Sequence, residues 1–181
     1  MTGRIWLVLA GLSALFIARA APQDISLDAF EPLAAKATEH FEISLGGFAL
    51  QLAAGFLNEK NPDEARVKAL VASLKGIYIR SYTFAKAGEY SLSDVDRVRS
   101  QLKGWNKIVS VHEHDEDTGI YLRTEGEKIL GLVIVSAEPT ELTLINIVGS
   151  IHPDQLKDLT KFGVPDLGDL GKKADEKKKE E

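Results

Sequence analysis

"KILGLVIVSAEPTELTLINIVGSI", residues 128–151, is two apolar runs separated by a short polar break at Glu138-Pro139-Thr140-Glu141. Runs of this length, rich in Val, Ile and Leu and joined by a Pro-containing turn, read as two antiparallel strands in a hairpin. Residues 129–135 are nearly all apolar, which predicts a central strand covered on both faces. Upstream, "KIVSVHEH" and "GIYLRTE" are strand-like too, and the links "DEDT" and "GE" have hairpin length. These four segments predict an antiparallel meander.

The rest of the chain supplies helices and one or two further strands. "IYIRSYTF", residues 77–84, alternates Ile77 and Ile79 with Tyr78, Arg80 and Tyr82, as a half-buried strand does. "EISLGG" reads as a brief strand ending at Gly46-Gly47, and "FALQLAAGFLNEK" spaces Phe48, Leu52 and Phe56 at helical intervals. In "PDEARVKALVASLKG", Pro62, Asp63 and Glu64 suit the positive end of a helix whose apolar stripe is Val67, Leu70, Val71 and Leu74; Gly76 is expected to stop it. "SLSDVDRVRSQLKGW" offers Ser91 or Ser93 as a cap, Val95, Val98 and Leu102 as the inward face, and Gly104 as the stop. Trp105 is expected to anchor this helix onto the sheet. "HPDQLKDLTKF" closes the pattern with Leu156 and Leu159 facing inward. The fold class is α+β: a single domain, a mostly antiparallel sheet with a C-terminal four-strand meander, and helices packed on one face. No internal repeat stands out.

The two ends of the chain read differently. Arg4 precedes the apolar run Ile5 to Ala18, and Ala18-Arg19-Ala20 places small residues where a signal peptidase looks, so residues 1–20 are expected to be a signal peptide cut after Ala20. The run is short for a bilayer span, which needs about 20 apolar residues. The expected map is a signal peptide 1–20, a lead-in 21–41 with a short helix around Leu27 to Ala37, a domain 42–162, and a disordered charged tail 163–181. The destination is the periplasm or the medium. The chain has no cysteine, so neither a lipid-bearing cysteine nor a disulfide is available and the core holds the fold unaided. Removing Arg4 and Arg19 leaves 20 basic and 27 acidic residues, a net charge of −7. That balance argues against nucleic acid and against anionic membrane surfaces.

Chemistry gathers at "VSVHEHDEDTGIYL", residues 109–122. His112 and His114 are two apart on a strand and therefore share a face, the geometry by which a His-x-His pair holds one metal. Zinc would need a third protein ligand, and a structural site four. The competing reading is the polar end of a hairpin, with Asp115, Glu116 and Asp117 in its turn. A second candidate is the polar face of the sheet itself, where Tyr78, Arg80, Tyr82, Ser110, His112, His114, Tyr121 and Arg123 would form one patch. Interfaces favour Tyr and Arg. The alternative is that the N-terminal segment or a helix covers this face. "GGFAL" lacks the rest of a phosphate loop, no Gly-x-Ser-x-Gly word is present, and Glu138 and Glu141 beside their turn are as well explained by the turn as by acid–base work.

The words "LKGIYIRSYTF", "WNKIVSVHE" leading into "IYLR", "KILGLVIVSAEPTELTLINIVGSI" and "DQLKDL" resemble a family of small exported bacterial proteins, domain of unknown function 4252. The resemblance covers roughly Ile43 to Leu159. It implies a fold and an export route, and brings no catalytic residues. The function expected is a non-enzymatic module that binds a protein or peptide, with another envelope protein as partner, no cofactor, no nucleic acid and no stable membrane insertion once the signal is removed. The alternative is a metal-binding protein or metal-dependent hydrolase built on His112 and His114.

Overall fold

A computed structural model of the chain describes residues 25–113 and 115–162. The expected signal peptide, His114 and the expected tail lie outside the described residues.

Six strands form one antiparallel sheet: β1 (Glu39–Gly46), β2 (Leu74–Thr83), β3 (Asn106–Glu113), β4 (Glu116–Glu125), β5 (Lys128–Ala137) and β6 (Glu141–Ile151). Their order across the sheet is β1-β2-β6-β5-β4-β3. The meander β3 to β6 is as the sequence predicts, and β2 then joins β6 with β1 outside it. The helices are α1 (Glu31–Ala34), α2 (Gly47–Gly55), α3 (Pro62–Ser73) and α4 (Leu92–Arg99), with 3-10 segments at Asp28–Phe30, Ser100–Leu102 and Pro153–Phe162.

The α+β class holds, with one antiparallel sheet, but the helices are not confined to one face. The reason lies in β5 and β6. Leu132 and Ile134 of β5, with Ile145 and Ile147 of β6, point to one side and pack with Leu50, Ala54, Val67, Leu70, Val71 and Leu159 from α2, α3 and the last 3-10 segment. Val133, Val135, Leu142 and Leu144 point to the other side, where Ile25, Leu27, Phe30 and Leu33 of the lead-in and Val95, Val98 and Leu102 of α4 cover them. Strands apolar on both faces require two covers. The lead-in is thus one wall of a second core and part of the folded unit, and the boundary expected at residue 42 falls inside β1.

Local signals set the helix ends. The Asn61 side chain accepts from the Asp63 amide at 3.0 Å, with Pro62 at the first helical position of α3. At α4, Ser91 donates its amide to the Asp94 carboxylate at 3.0 Å. Gly76 does not stop α3. That helix ends at Ser73, the chain enters β2 at Leu74, and Gly76 lies beneath the Tyr78 ring, where a Cβ would come within 2.6 Å of it. Trp105 packs against Gly131 on the sheet, as expected.

Gly76 has a counterpart that reveals a repeat passed over in the linear reading. "GIYIRS" (76–81) on β2 and "GIYLRT" (119–124) on β4 share the word Gly-Ile-Tyr-x-Arg, and Tyr121 lies over Gly119 as Tyr78 lies over Gly76. Register relates the two copies. One row crosses the sheet as Ser44–Tyr78–Asn146–Val133–Tyr121–Lys107. Arg80 pairs with Leu144 as Arg123 pairs with Gly131, and Gly76 pairs with Val148 as Gly119 pairs with Val135. These pairings are those of a local twofold axis perpendicular to the sheet, passing between Asn146 and Val133.

Phe30 is completely buried in the second core. Phe30→Ala is expected to cost about 3 kcal/mol or more, as large-to-small changes of a buried phenylalanine do, measured by urea unfolding. A cost below about 0.5 kcal/mol, the range of an ordinary surface change, would show that the lead-in is a loose arm.

Candidate functional site

Part of the polar sheet face foreseen as a binding patch is a core wall. Tyr82 is fully buried and Tyr121 nearly so, both under the lead-in and α4. Tyrosine is amphipathic, so its place in a strand pattern leaves open whether water or another layer meets it. Burial and the nearby Glu42 carboxylate push the Tyr82 hydroxyl up to about 12. Arg123 is half-buried, donates from Nη2 to the Leu130 carbonyl at 3.3 Å, and lies 5.3 Å from the centre of the Trp105 ring. Lys107 sits 5.8 Å from the centre of the Tyr121 ring.

Ser110 and His112 of the patch are exposed at its far end, and Tyr78 and Arg80 border open space at the other. Tyr78 and Arg80 line a cleft of about 410 Å³ together with Ser44 and residues Ile25 to Asp28. Arg80 Nη1 donates to the Ile43 carbonyl at 3.0 Å, the Ile79 carbonyl at 3.0 Å and Ser44 Oγ at 3.1 Å, while Nε faces Glu42 at 3.5 Å.

At the opposite corner, the β3–β4 hairpin pairs Glu113 with Glu116, so Glu116 and Asp117 belong to β4 rather than to the turn. His112 is exposed and pairs across the strands with Asp117, its Nδ1 3.6 Å from Oδ1. The other oxygen of Asp117 is 2.7 Å from Arg99 Nη2 of α4. A guanidinium at that distance opposes a cation on the same carboxylate. Among the described residues no group of three His, Asp or Glu is placed to hold a metal, and His114, the other half of the pair, lies outside them. The corner forms a cleft of about 390 Å³ lined by Tyr90, Leu92, His112, Asp117 and Pro139 among others. Tyr90 donates to the carbonyls of Glu138 and Glu141, and burial first, then the Glu138 charge, raises its hydroxyl to about 12. Glu138 is itself raised by burial and by the charges of Glu141 and Glu116. Along the row of the first face next to this corner, Ser81 bonds Thr143 at 3.0 Å and Thr118 bonds Ser136 at 2.9 Å, so these hydroxyls pair with each other.

A third region was missed by the sequence reading. Phe48, Leu52 and Phe56 do mark a helix, but they face outward, with 79%, 56% and 89% of their surface exposed. The buried face of α2 carries Leu50 and Ala54, with Leu57 following. Nearly every residue of α2 is apolar, so two stripes have helical spacing and periodicity cannot choose between them.

The fold and these surfaces define an α+β domain with one six-stranded antiparallel sheet covered on both faces. Residues 34–159 match the family model described as Domain of unknown function (DUF4252), and the chain belongs to that family. No curated protein and no solved structure matches it.

Two outcomes follow. In an alkaline titration followed by tyrosine absorbance, Tyr82 and Tyr90 are expected to ionise near 12. Stability should therefore decline as pH climbs from about 10, because the unfolded chain releases these protons first. Ordinary titration of Tyr82Phe and Tyr90Phe controls identical to the parent would contradict this. For the histidine pair, elemental analysis after zinc incubation and desalting is expected to find less than about a tenth of a zinc atom per chain, and one per chain would establish a site that His114 completes.

Proposed function

We propose that the protein is a non-enzymatic, exported binding module that docks an apolar groove of an envelope protein onto the outer ridge of α2. The observation that carries this reading is the exposure of Phe48, Leu52 and Phe56 side by side on one uncharged helix. Contiguous exposed apolar surface of this kind marks interaction sites. Two phenylalanines and a leucine at these exposures offer ~400 Å² of contact, about half of what one partner contributes to a standard stable interface. Past the end of the helix, Glu59 pairs with Lys68 at 2.7 Å and Asp63 with Arg66. The excess of acids over bases in the chain, 27 against 22, suits a protein groove better than an anionic bilayer, which rewards basic residues. Export is supported by the signal-like residues 1–20.

Both phenylalanines are exposed, so the double variant Phe48→Ser, Phe56→Ser is expected to keep the stability of the parent within about 0.5 kcal/mol per site. A partner captured by the parent protein from envelope extract, then purified, should bind the variant at least about tenfold more weakly. Equal affinity for both proteins would refute docking through α2. Ridge-dependent dimerisation in sedimentation, or ridge-dependent binding to lipid vesicles without such a partner, would replace the proposed occupant.

A further inference from the structure

The two copies of the Gly-Ile-Tyr-x-Arg word are furnished differently above the sheet. Around Arg123 the space is full: Trp105 stacks on the guanidinium, and the Lys107 side chain reaches over Tyr121. The local twofold places Ser44 where Lys107 stands, Tyr78 at Tyr121 and Arg80 at Arg123. Ser44 is too short to reach over Tyr78, and at the register place of Trp105 stands Glu42, opposite Arg80, whose carboxylate meets Nε at 3.5 Å instead of laying a ring over the guanidinium. Over Tyr78, where the Lys107 side chain stands in the other copy, is the cleft of about 410 Å³ that Arg80 also lines, within the size range of small-molecule sites.

We propose that this cleft is a binding site for a planar aromatic group, an indole or phenol ring, which stacks on Arg80 as Trp105 stacks on Arg123. The hydrogen bonds of Arg80 favour this ligand class over an anion. Nη1 is held by two carbonyls and Ser44, and Nε, which has no hydrogen bond of its own, lies 3.5 Å from the Glu42 carboxylate, whose charge repels an anion approaching that edge. The three bonds of Nη1 fix the orientation of the guanidinium and leave its face for stacking. Its side chain is 15% exposed, and the low exposure strengthens a cation–π contact. Asp28 on the wall and Glu42 beside the arginine oppose anions further. Ile25 and Leu27 provide apolar walls, and Ser26 and Ser44 a polar rim.

The wall is anchored from α4's continuation. Gln101 accepts from the Ser26 amide at 3.0 Å and donates to the Ser26 carbonyl at 3.1 Å. Behind it, Asn146 occupies the centre of the Tyr78 row, 1% exposed, with one long bond of 3.4 Å from Nδ2 to the Ile25 carbonyl and no partner for Oδ1. The ring can come from a free aromatic molecule or from an aromatic side chain of a peptide, and the chemistry at Arg80 is the same.

Amide chemical-shift mapping on the purified protein tests the site with two probes in separate arms, indole and acetyl-Gly-Trp-Gly-amide. Saturable shifts centred on Ser44, Tyr78 and Arg80 are expected at millimolar probe. Shifts with indole alone assign the site to free aromatic molecules; shifts with the peptide only assign it to aromatic side chains. Ser44→Trp, at an exposed position of the edge strand, supplies a ring from the chain itself and should weaken probe binding by about tenfold or more. Arg80→Gln keeps a planar donor without the cation and should do the same, and Ser44→Trp retains the test if Arg80→Gln fails to fold. Absence of these shifts with both probes, binding undiminished in Ser44→Trp, or acetate shifting the same residues more strongly than either probe would overturn the proposal.

Discussion

Strands β5 and β6 at the centre of the sheet are apolar on both faces, and the rest of the chain is arranged to keep both faces dry. A strand with one wet face needs one covering layer; this pair needs two. The chain meets the requirement by sending α2, α3 and the last 3-10 segment to one side and the lead-in with α4 to the other. The connection from β2 to β3 carries α4 across the second face, because β2 lies beyond β6 while β3 forms the far edge. Residues ahead of β1 thereby become structural.

The local twofold in strand register gives this doubly covered sheet an internal standard of comparison. Glycines at 76 and 119 let Tyr78 and Tyr121 lie flat along their strands, since a Cβ at either place would collide with the ring. The arginine that follows each tyrosine bonds a backbone carbonyl of a neighbouring strand. The symmetry ends above the sheet. Gly131 leaves room for the Trp105 indole on one side, while Leu144 holds the corresponding place on the other. The asymmetry of the covering segments turns one copy of the word into packed core and the other into the floor of a cleft.

Much of this architecture was legible in the strands and little of it in the surfaces. Alternation placed Ile77, Ile79, Ile120 and Leu122 on the correct common face, and the short polar links fixed the meander. The same alternation correctly grouped Tyr78, Arg80, Tyr82, Tyr121 and Arg123 on the opposite face but could not say that Tyr82 and Tyr121 lie under a second layer. Tyrosine's apolar ring packs and its hydroxyl hydrates, so its presence is consistent with either surroundings. The repeated Gly-Ile-Tyr-x-Arg word was the available signal that these positions belong together. In α2 the obstacle was the reverse: too many apolar residues rather than ambiguous ones, so that the stripe of largest side chains was the one left outside.

By itself the sequence determined the α+β class, the meander, the capped helices α3 and α4, and the candidate status of one histidine-rich hairpin, because these depend on periodicity and turn chemistry within a few residues of each other. Only the tertiary structure decided which face of α2 meets solvent, that the lead-in closes a second core, and that Asp117 answers to Arg99 as well as to His112. Each of those depends on segments distant in the chain competing for the same surface. Local pattern states which residues share a face, and only packing states what, if anything, lies against it.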